Sequence, residues 1–423
     1  MRKVLTAARL WDGSKAIDDP VVVIEDGRIV SISAAGPAGP AGPGGPGELG
    51  ESGKPGESPR ASPGPRVDTL RFEGALLAPA YFDVHIHGAA GHDVMEATPE
   101  ALNAVGSFLA SHGTGAYLAT TVTAPVDATL RALDGLAKLI DYPEQIAAAG
   151  RNGDPIARPL GIHLEGPFLS HAKCGVQPRE YLLEPDLALF DRFVEAAGGH
   201  ARLMTLAPEL PGAAELTKHA TTRGVRVSVG HSDATAEETR ATIAAGAVSA
   251  THTFNAMRAL DHHEPGILGV VLSEDALYAE LICDGIHSKP LMAKLFWRAK
   301  GVKRAILVTD AMSAAGMPDG EYKLGGFAVQ VANGKAMARG VLAGSVLTLD
   351  CALENLIAFA EAPLESALCA LTVNPAAMTG LQDRVGRLAV GGLANLVAVD
   401  AKGTLVASIV DGERAQLLGP RGD

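Results

Sequence analysis

The chain has 423 residues and a mass of 43.4 kDa, which suits one large barrel with an accessory domain, or two to three medium domains. Hydrophobic residues make up 47% and charged residues 20%, enough for a large core and incompatible with global disorder. The net charge of −12 argues against a broad nucleic-acid-binding surface, and the four cysteines form neither a CxxC pair nor a disulfide framework.

The N-terminus, MRKVLTAARLWDGSKAIDD, lacks a long apolar h-region, and no run of about 18 apolar residues occurs anywhere. The expectation is a cytoplasmic protein with no membrane segment. VLTAARLWDG and VVVIEDGRIVSIS read as two strands joined around a D-G turn. Residues 36–66 then carry glycine every third residue at 36, 39, 42 and 45, and in a shifted phase from 44 to 56. The run resembles collagen but is short and out of register, so it reads as a flexible Gly/Pro-rich insert.

From Ala75 onward, short apolar runs alternate with helical patterns. The candidate strands are ALLAPAYFDVHIH, AYLATT, PLGIHLE, RLMTLAP, VRVSVGH, VSATH, YAELICDG and RAILVTD. Helical segments such as TPEALNAVGSFLASHG and TAEETRATIAAG lie between them, and LDCALENLIAFAEA follows the last. Eight such units predict a (β/α)8 TIM-like barrel. The strand-like tail, GRLAVGGLANLVAVD and TLVASIVDGE, pairs with the N-terminal strands into a small β domain. The expected organisation is residues 1–74 as the first part of that β-sandwich, 75–378 as the barrel and 379–423 as the rest of the sandwich.

The 13 histidines matter by position. His85 and His87 end the first strand as H-x-H, and residues i and i+2 of a strand face one side. Glu165 ends the third strand, His231 follows the fifth, His252 ends the sixth and Asp310 the eighth. The C-terminal ends of barrel strands are where chemistry is assembled. Imidazoles with a carboxylate suit a divalent ion such as Zn²⁺ or Fe²⁺, and a hydrolytic site leaves a position open for water. Asp310 is the natural proton shuttle, able to deprotonate that water and to protonate a leaving nitrogen. Each piece alone has a plainer reading: a core histidine pair, a loop glutamate, or a helix-capping Asp310.

DVHIHG, HLEGPF, GHSDAT, THTFNAM, DGIH and VTDAM, in this order, resemble the N-acetylglucosamine-6-phosphate deacetylase family of the metal-dependent amidohydrolase superfamily. The resemblance runs from about Asp83 to Asp400. It implies the barrel with its β-sandwich, and hydrolysis of the sugar acetamide to acetate and glucosamine 6-phosphate. It implies Glu165, His231 and His252 as ligands of the principal metal. A second ion held by His85 and His87, bridged through Glu165 and touched by Asp310, gives one or two metals per subunit. Asp310 is implied as general base and acid, and His287 as the group that polarises the acetyl carbonyl. Asn255 and the backbone at Ala256 are implied at the phosphate, and the resemblance implies a homodimer with the phosphate-gripping segment near the partner subunit.

The sequence departs from the family pattern twice. His263 stands before E-P-G where the family carries a phosphate-gripping Arg, with Arg258 and His262 nearby. Val176–Gln177 stands where a sugar-contacting His precedes Pro, and Gln177 can hydrogen-bond a hydroxyl. Both changes touch substrate recognition, so an unphosphorylated N-acetyl amino sugar, another amino-sugar phosphate or an N-acyl amino acid stands as the alternative substrate. A non-catalytic scaffold built around the Gly-rich insert is the third reading.

Overall fold

A computed structural model describes residues 2–35, 67–150 and 154–418. The Gly/Pro-rich run at 36–66, and with it the expectation of a loop there, lies outside the described residues. Eight parallel strands form the barrel, here numbered β1 (Tyr81–Ile86), β2 (Thr114–Thr121), β3 (Arg158–Glu165), β4 (Ala201–Leu206), β5 (Arg226–Val229), β6 (Ser249–Ala250), β7 (Tyr278–Ile282) and β8 (Ala305–Val308). Each pairs with the next in chain order. All eight candidate strands of the sequence contribute, and β2 is buried along its whole length. That burial explains their unbroken apolar character: side chains fill the barrel on one face and helices cover the other.

The ring closes between β8 and β1. Ile86 bridges Ala311 in parallel register, the Asp310 N–H donates to the His85 carbonyl at 2.9 Å, and the His87 N–H donates to Ala311 at 2.8 Å. Beneath this seam the buried Asp83 accepts the Thr309 hydroxyl at 2.6 Å and the His85 N–H at 3.2 Å.

The helices begin where their sequences supply caps. Thr98 accepts the Ala101 N–H and is followed by Pro99 at the start of Pro99–Ser111. Thr235 and Glu238 form a reciprocal capping box at Ala236–Ala244. Leu349–Ala360 buries Leu349, Ala352, Leu353, Leu356 and Ala360, a helical stripe facing the barrel.

A second sheet joins the two ends of the chain. Its strands are Arg2–Trp11, Ala16–Asp18, Pro20–Glu25, Arg28–Ala34, Val67–Pro79, Leu396–Val399, Leu405–Val410 and Glu413–Arg414. Asp26 and Gly27 both have positive φ, 47° and 77°, so VVVIEDGRIVSIS is a tight hairpin of two strands. ALLAPAYFDVHIH likewise serves two sheets. It divides at Ala80, whose N–H donates to Asn395, and only its second half enters the barrel. Apolar residues run straight through the division, which hides the change of sheet.

One element lies outside the sequence reading altogether. Gly320–Leu324, Phe327–Ala332, Lys335–Ala338 and Val341–Leu342 form a four-stranded antiparallel meander after β8. Its signals are alternation in FAVQVA and an Asn333–Gly334 turn with φ of 52° and 74°.

Burial is the dominant influence on Asp83 and pushes its carboxyl up to about 7, against the pull of Thr309 and the His85 N–H. The unfolded chain ionises it near the ordinary value, so its contribution to stability is full at low pH and is lost as pH rises through about 7. Metal-free wild type should therefore lose thermal stability relative to Asp83→Asn between pH 5 and 8. A difference in melting temperature that does not change with pH would refute this.

Candidate metal centre

Five loops at the C-terminal mouth of the barrel deliver the ionisable groups. His85 and His87 leave the end of β1, and Glu165 is the last residue of β3. His231, His252 and Asp310 lie just past β5, β6 and β8, with φ of 46°, 26° and 49°. Left-handed backbone is uncommon outside glycine and costs of the order of 1–3 kcal/mol per residue. Here it turns each side chain back over the mouth instead of outward along the next loop.

The side chains meet on one carboxylate. Glu165 Oε1 lies 3.2 Å from His231 Nε2, 3.2 Å from His252 Nε2 and 3.3 Å from His85 Nε2. Glu165 Oε2 lies 3.4 Å from His87 Nε2. Asp310 Oδ1 completes the far side, 3.1 Å from His87 Nε2 and 3.5 Å from His85 Nε2. The result is two buried triads, Glu165–His231–His252 and His85–His87–Asp310.

The donor chemistry fits a cation in each triad. His87 Nδ1 faces the Thr120 carbonyl at 3.1 Å and His231 Nδ1 faces the Lys173 carbonyl at 3.1 Å. A carbonyl only accepts, so each Nδ1 donates to it, and each Nε2 is the nitrogen turned toward the cluster and left for a metal. His231 Nε2 and His252 Nε2 stand 3.1 Å apart. His85 Nε2 is buried without a hydrogen-bond partner. Lone pairs and carboxylates converging out of water are stable only around positive charge.

The proton affinities carry the same message. Burial pulls the His87 imidazolium down, yet hydrogen bonds to Asp310 and Glu165 outweigh it and push the group up to about 9. His85 is raised too, with Glu165 and Asp310 overcoming its burial. Burial pushes the Glu165 carboxyl up, but His85 and His231 hold it well below its ordinary value, and His85 and His87 lower Asp310 in the same way. Without metal the site collects protons, and a divalent ion must displace them.

A cavity of about 230 Å³ opens onto the cluster. Gln177, Asn255, Ala256 and His287 line it together with every triad member except His85. His287 Nδ1 sits 2.6 Å from Asp284 Oδ2, which leaves its other nitrogen for the cavity. Gln177 donates to Glu165 Oε2 at 2.6 Å and accepts the Thr123 N–H at 2.9 Å, so it steadies the shared carboxylate. Leu324, Val341 and Leu342 of the meander close one side. Two of the expected recognition residues lie apart from the cavity wall. His263 is exposed in a loop and stacks on His262, while Arg258 pairs with Asp233 at 3.4 Å. A larger groove of about 740 Å³ runs between Arg131 and Arg339 and holds neither triad.

Sequence reasoning passed over His163 and Glu280, both fully buried inside the barrel. His163 packs edge-on against His85 at 4.7 Å and bonds Thr205 at 2.8 Å. Burial and the neighbouring His85 push its pKa well below the ordinary value, so it stays neutral. Its place two residues before Glu165 on one strand face was the available signal. For Glu280 the signal was a charged residue amid the apolar YAELI run.

Residues 76–416 match the amidohydrolase family model. The N-acetylglucosamine-6-phosphate deacetylase of Lysinibacillus sphaericus is 38% identical over 338 residues, covering 79% of this chain and 84% of its own length. The N-acetylgalactosamine-6-phosphate deacetylase of Escherichia coli O157:H7 is also 38% identical, covering 79% of this chain and 86% of its own length. Among solved structures, an N-acetyl-D-glucosamine-6-phosphate deacetylase mutant of Mycobacterium smegmatis in complex with N-acetyl-D-glucosamine-6-phosphate superposes with a TM-score of 0.82 at 31% identity. That match covers 98% of this chain and 99% of the other.

A carboxylate shared by two triads has a measurable signature. Glu165→Gln should lower the divalent-metal content of both sites, whereas His252→Asn should lower that of one. Elemental analysis after dialysis against metal-free buffer distinguishes them, and equal losses in the two variants would refute the sharing.

Proposed function

Because this chain belongs to the amidohydrolase family, with N-acetylhexosamine-6-phosphate deacetylases as relatives over most of its length, we propose that it hydrolyses the acetamide of N-acetyl-D-glucosamine 6-phosphate to D-glucosamine 6-phosphate and acetate. The observation that carries this reading is the meeting of both triads on Glu165 beside a cavity that His287 also lines. A bound divalent ion supplies a Lewis acid that acidifies water and polarises an acyl oxygen. We assign two such ions per subunit, Zn²⁺ or Fe²⁺, to the two triads.

The side chains supply the rest of the chemistry. Asp310 Oδ takes a proton from the attacking water and returns it to the amine nitrogen as the C–N bond breaks. Its short side chain on the closed β8–β1 seam keeps that oxygen in a fixed position. His287, held through Nδ1 by Asp284, presents its other nitrogen to the acetyl oxygen. Gln177 holds Glu165 through its amide NH₂ while its oxygen takes the Thr123 N–H. Leu324, Val341 and Leu342 exclude water from the acyl end.

Phosphate recognition falls to Asn255 and the main chain at Ala256, aided by Arg258 and Lys173. The last two flank Asp233 at 3.4 and 3.6 Å, with Glu209 bonded to the Asp233 N–H behind it. Lys173 belongs to this mouth because its carbonyl holds His231. His263, exposed on the loop beyond, contributes from the rim. Exposed Leu260, Leu291 and Leu295 support a homodimer contact near that loop. Cys174 and Cys283 are buried and unpaired, which supports a reducing, cytoplasmic setting. Among the described residues no helix is long and apolar enough to cross a membrane. The equal identity of the E. coli relative favours the C4 epimer, N-acetylgalactosamine 6-phosphate, as the second substrate to test.

Metal-quantified protein should release acetate from N-acetylglucosamine 6-phosphate in preference to free N-acetylglucosamine. Failure to release acetate from either hexosamine phosphate would refute the reading. Asp310→Asn should lower kcat by about 10²- to 10⁴-fold. Arg258→Ala should raise KM for the phosphorylated sugar roughly ten- to hundredfold, the worth of a charge-assisted contact, with KM for the free sugar unchanged. An equal rise for both sugars would remove Arg258 from phosphate recognition.

A further inference from the structure

Glu280 is a carboxylate that the chemistry above leaves unused. It sits on β7, fully buried, with its side chain inside the barrel beneath the cluster. One oxygen, Oε2, lies 3.1 Å from His85 Nδ1 and 3.2 Å from the His252 backbone N–H. The other, Oε1, has no hydrogen-bond partner. Its main-chain carbonyl accepts the Thr253 N–H at 2.8 Å, so β7 and the β6 loop are tied at two points.

We propose that Glu280 is a positioning residue for the second metal: it holds His85 in the tautomer and ring orientation that turn Nε2 toward Asp310 and Glu165. The backbone N–H of His252 can only donate, which makes Oε2 an acceptor. The same oxygen therefore takes the proton of His85 Nδ1, and Nε2 is the nitrogen left for the metal. That nitrogen is buried and without a hydrogen-bond partner, aimed between Glu165 Oε1 and Asp310 Oδ1. A carboxylate behind a ligating imidazole also raises its basicity, and loss of such a partner typically costs 10- to 100-fold in metal affinity. His87 and His231 use backbone carbonyls for the same purpose, so His85 alone of these three is backed by a charged side chain.

The isosteric Glu280→Gln is the informative variant. With its oxygen at the Oε2 position, the amide NH₂ is buried without an acceptor. Flipped, the NH₂ faces two donors. Neither placement backs His85 as the carboxylate does.

The proposal rests on the two-metal reading above, and titration of metal-free protein with Zn²⁺ separates the two. Wild type should bind two equivalents. Glu280→Gln should bind the first and lose 10- to 100-fold in affinity for the second, and retention of the first shows that the barrel is intact. In a His85→Ala background, Glu280→Gln should have no further effect on the ion that remains. Two equivalents bound by Glu280→Gln with wild-type affinity would overturn the proposal alone. So would an equal weakening of the remaining ion in the His85→Ala background. A single equivalent in wild type would overturn the two-metal reading and the proposal with it.

Discussion

One buried carboxylate organises the mouth of this barrel. Glu165 faces four imidazoles across both of its oxygens, with Gln177 as the neutral donor that steadies it. Its charge raises the proton affinity of His85 and His87, and the imidazoles around it hold its own carboxyl well below the ordinary value. Positive charge is then required at the centre of the cluster, whether it arrives as protons or as metal. The hydrogen bonds around the rim follow from this. Carbonyls at Thr120 and Lys173, and the carboxylate of Glu280, occupy the outer ring nitrogens so that the inner ones converge.

The barrel's architecture was legible because both of its causes are local. Unbroken apolar runs reveal strands buried on two faces, and capped amphipathic segments reveal the helices between them. The six cluster residues were legible because a strand end is also where a barrel gathers its chemistry. Less legible were features that depend on where a run is placed after folding. ALLAPAYF is apolar on both sides of Ala80, so its hydropathy does not mark the switch of sheet there. The meander at 320–342 did announce itself through alternation and the Asn333–Gly334 turn, but in a short span easily absorbed into a loop. Glu280 and His163 were obscured because a single polar residue in a strand does not reveal whether it meets a partner across the barrel.

The recognition residues divide along the same line. Gln177, Asn255, Ala256 and His287 line the cavity from the loops after β3, β6 and β7. Arg258 and His263 lie farther out on the loop after β6, where chain proximity to the motif says little about distance from the cavity. The structure ties Arg258 to Asp233 and leaves His263 in solvent. The candidate metal ligands thus sit at the rigid strand ends, and the expected recognition residues on the loops beyond them.

The small sheet also protects the barrel's entry. Val67–Pro79 runs directly into β1, and its last residues are paired on one side by Leu396–Val399, near the far end of the chain. Leu76, Leu77 and Ala78 are buried there. A chain truncated before Leu396 would leave that edge as an apolar, hydrogen-bonding template open to another copy, the arrangement that seeds strand-to-strand aggregation. The C-terminal strands, which carry none of the candidate ligands, thereby act as a cap on intermolecular pairing.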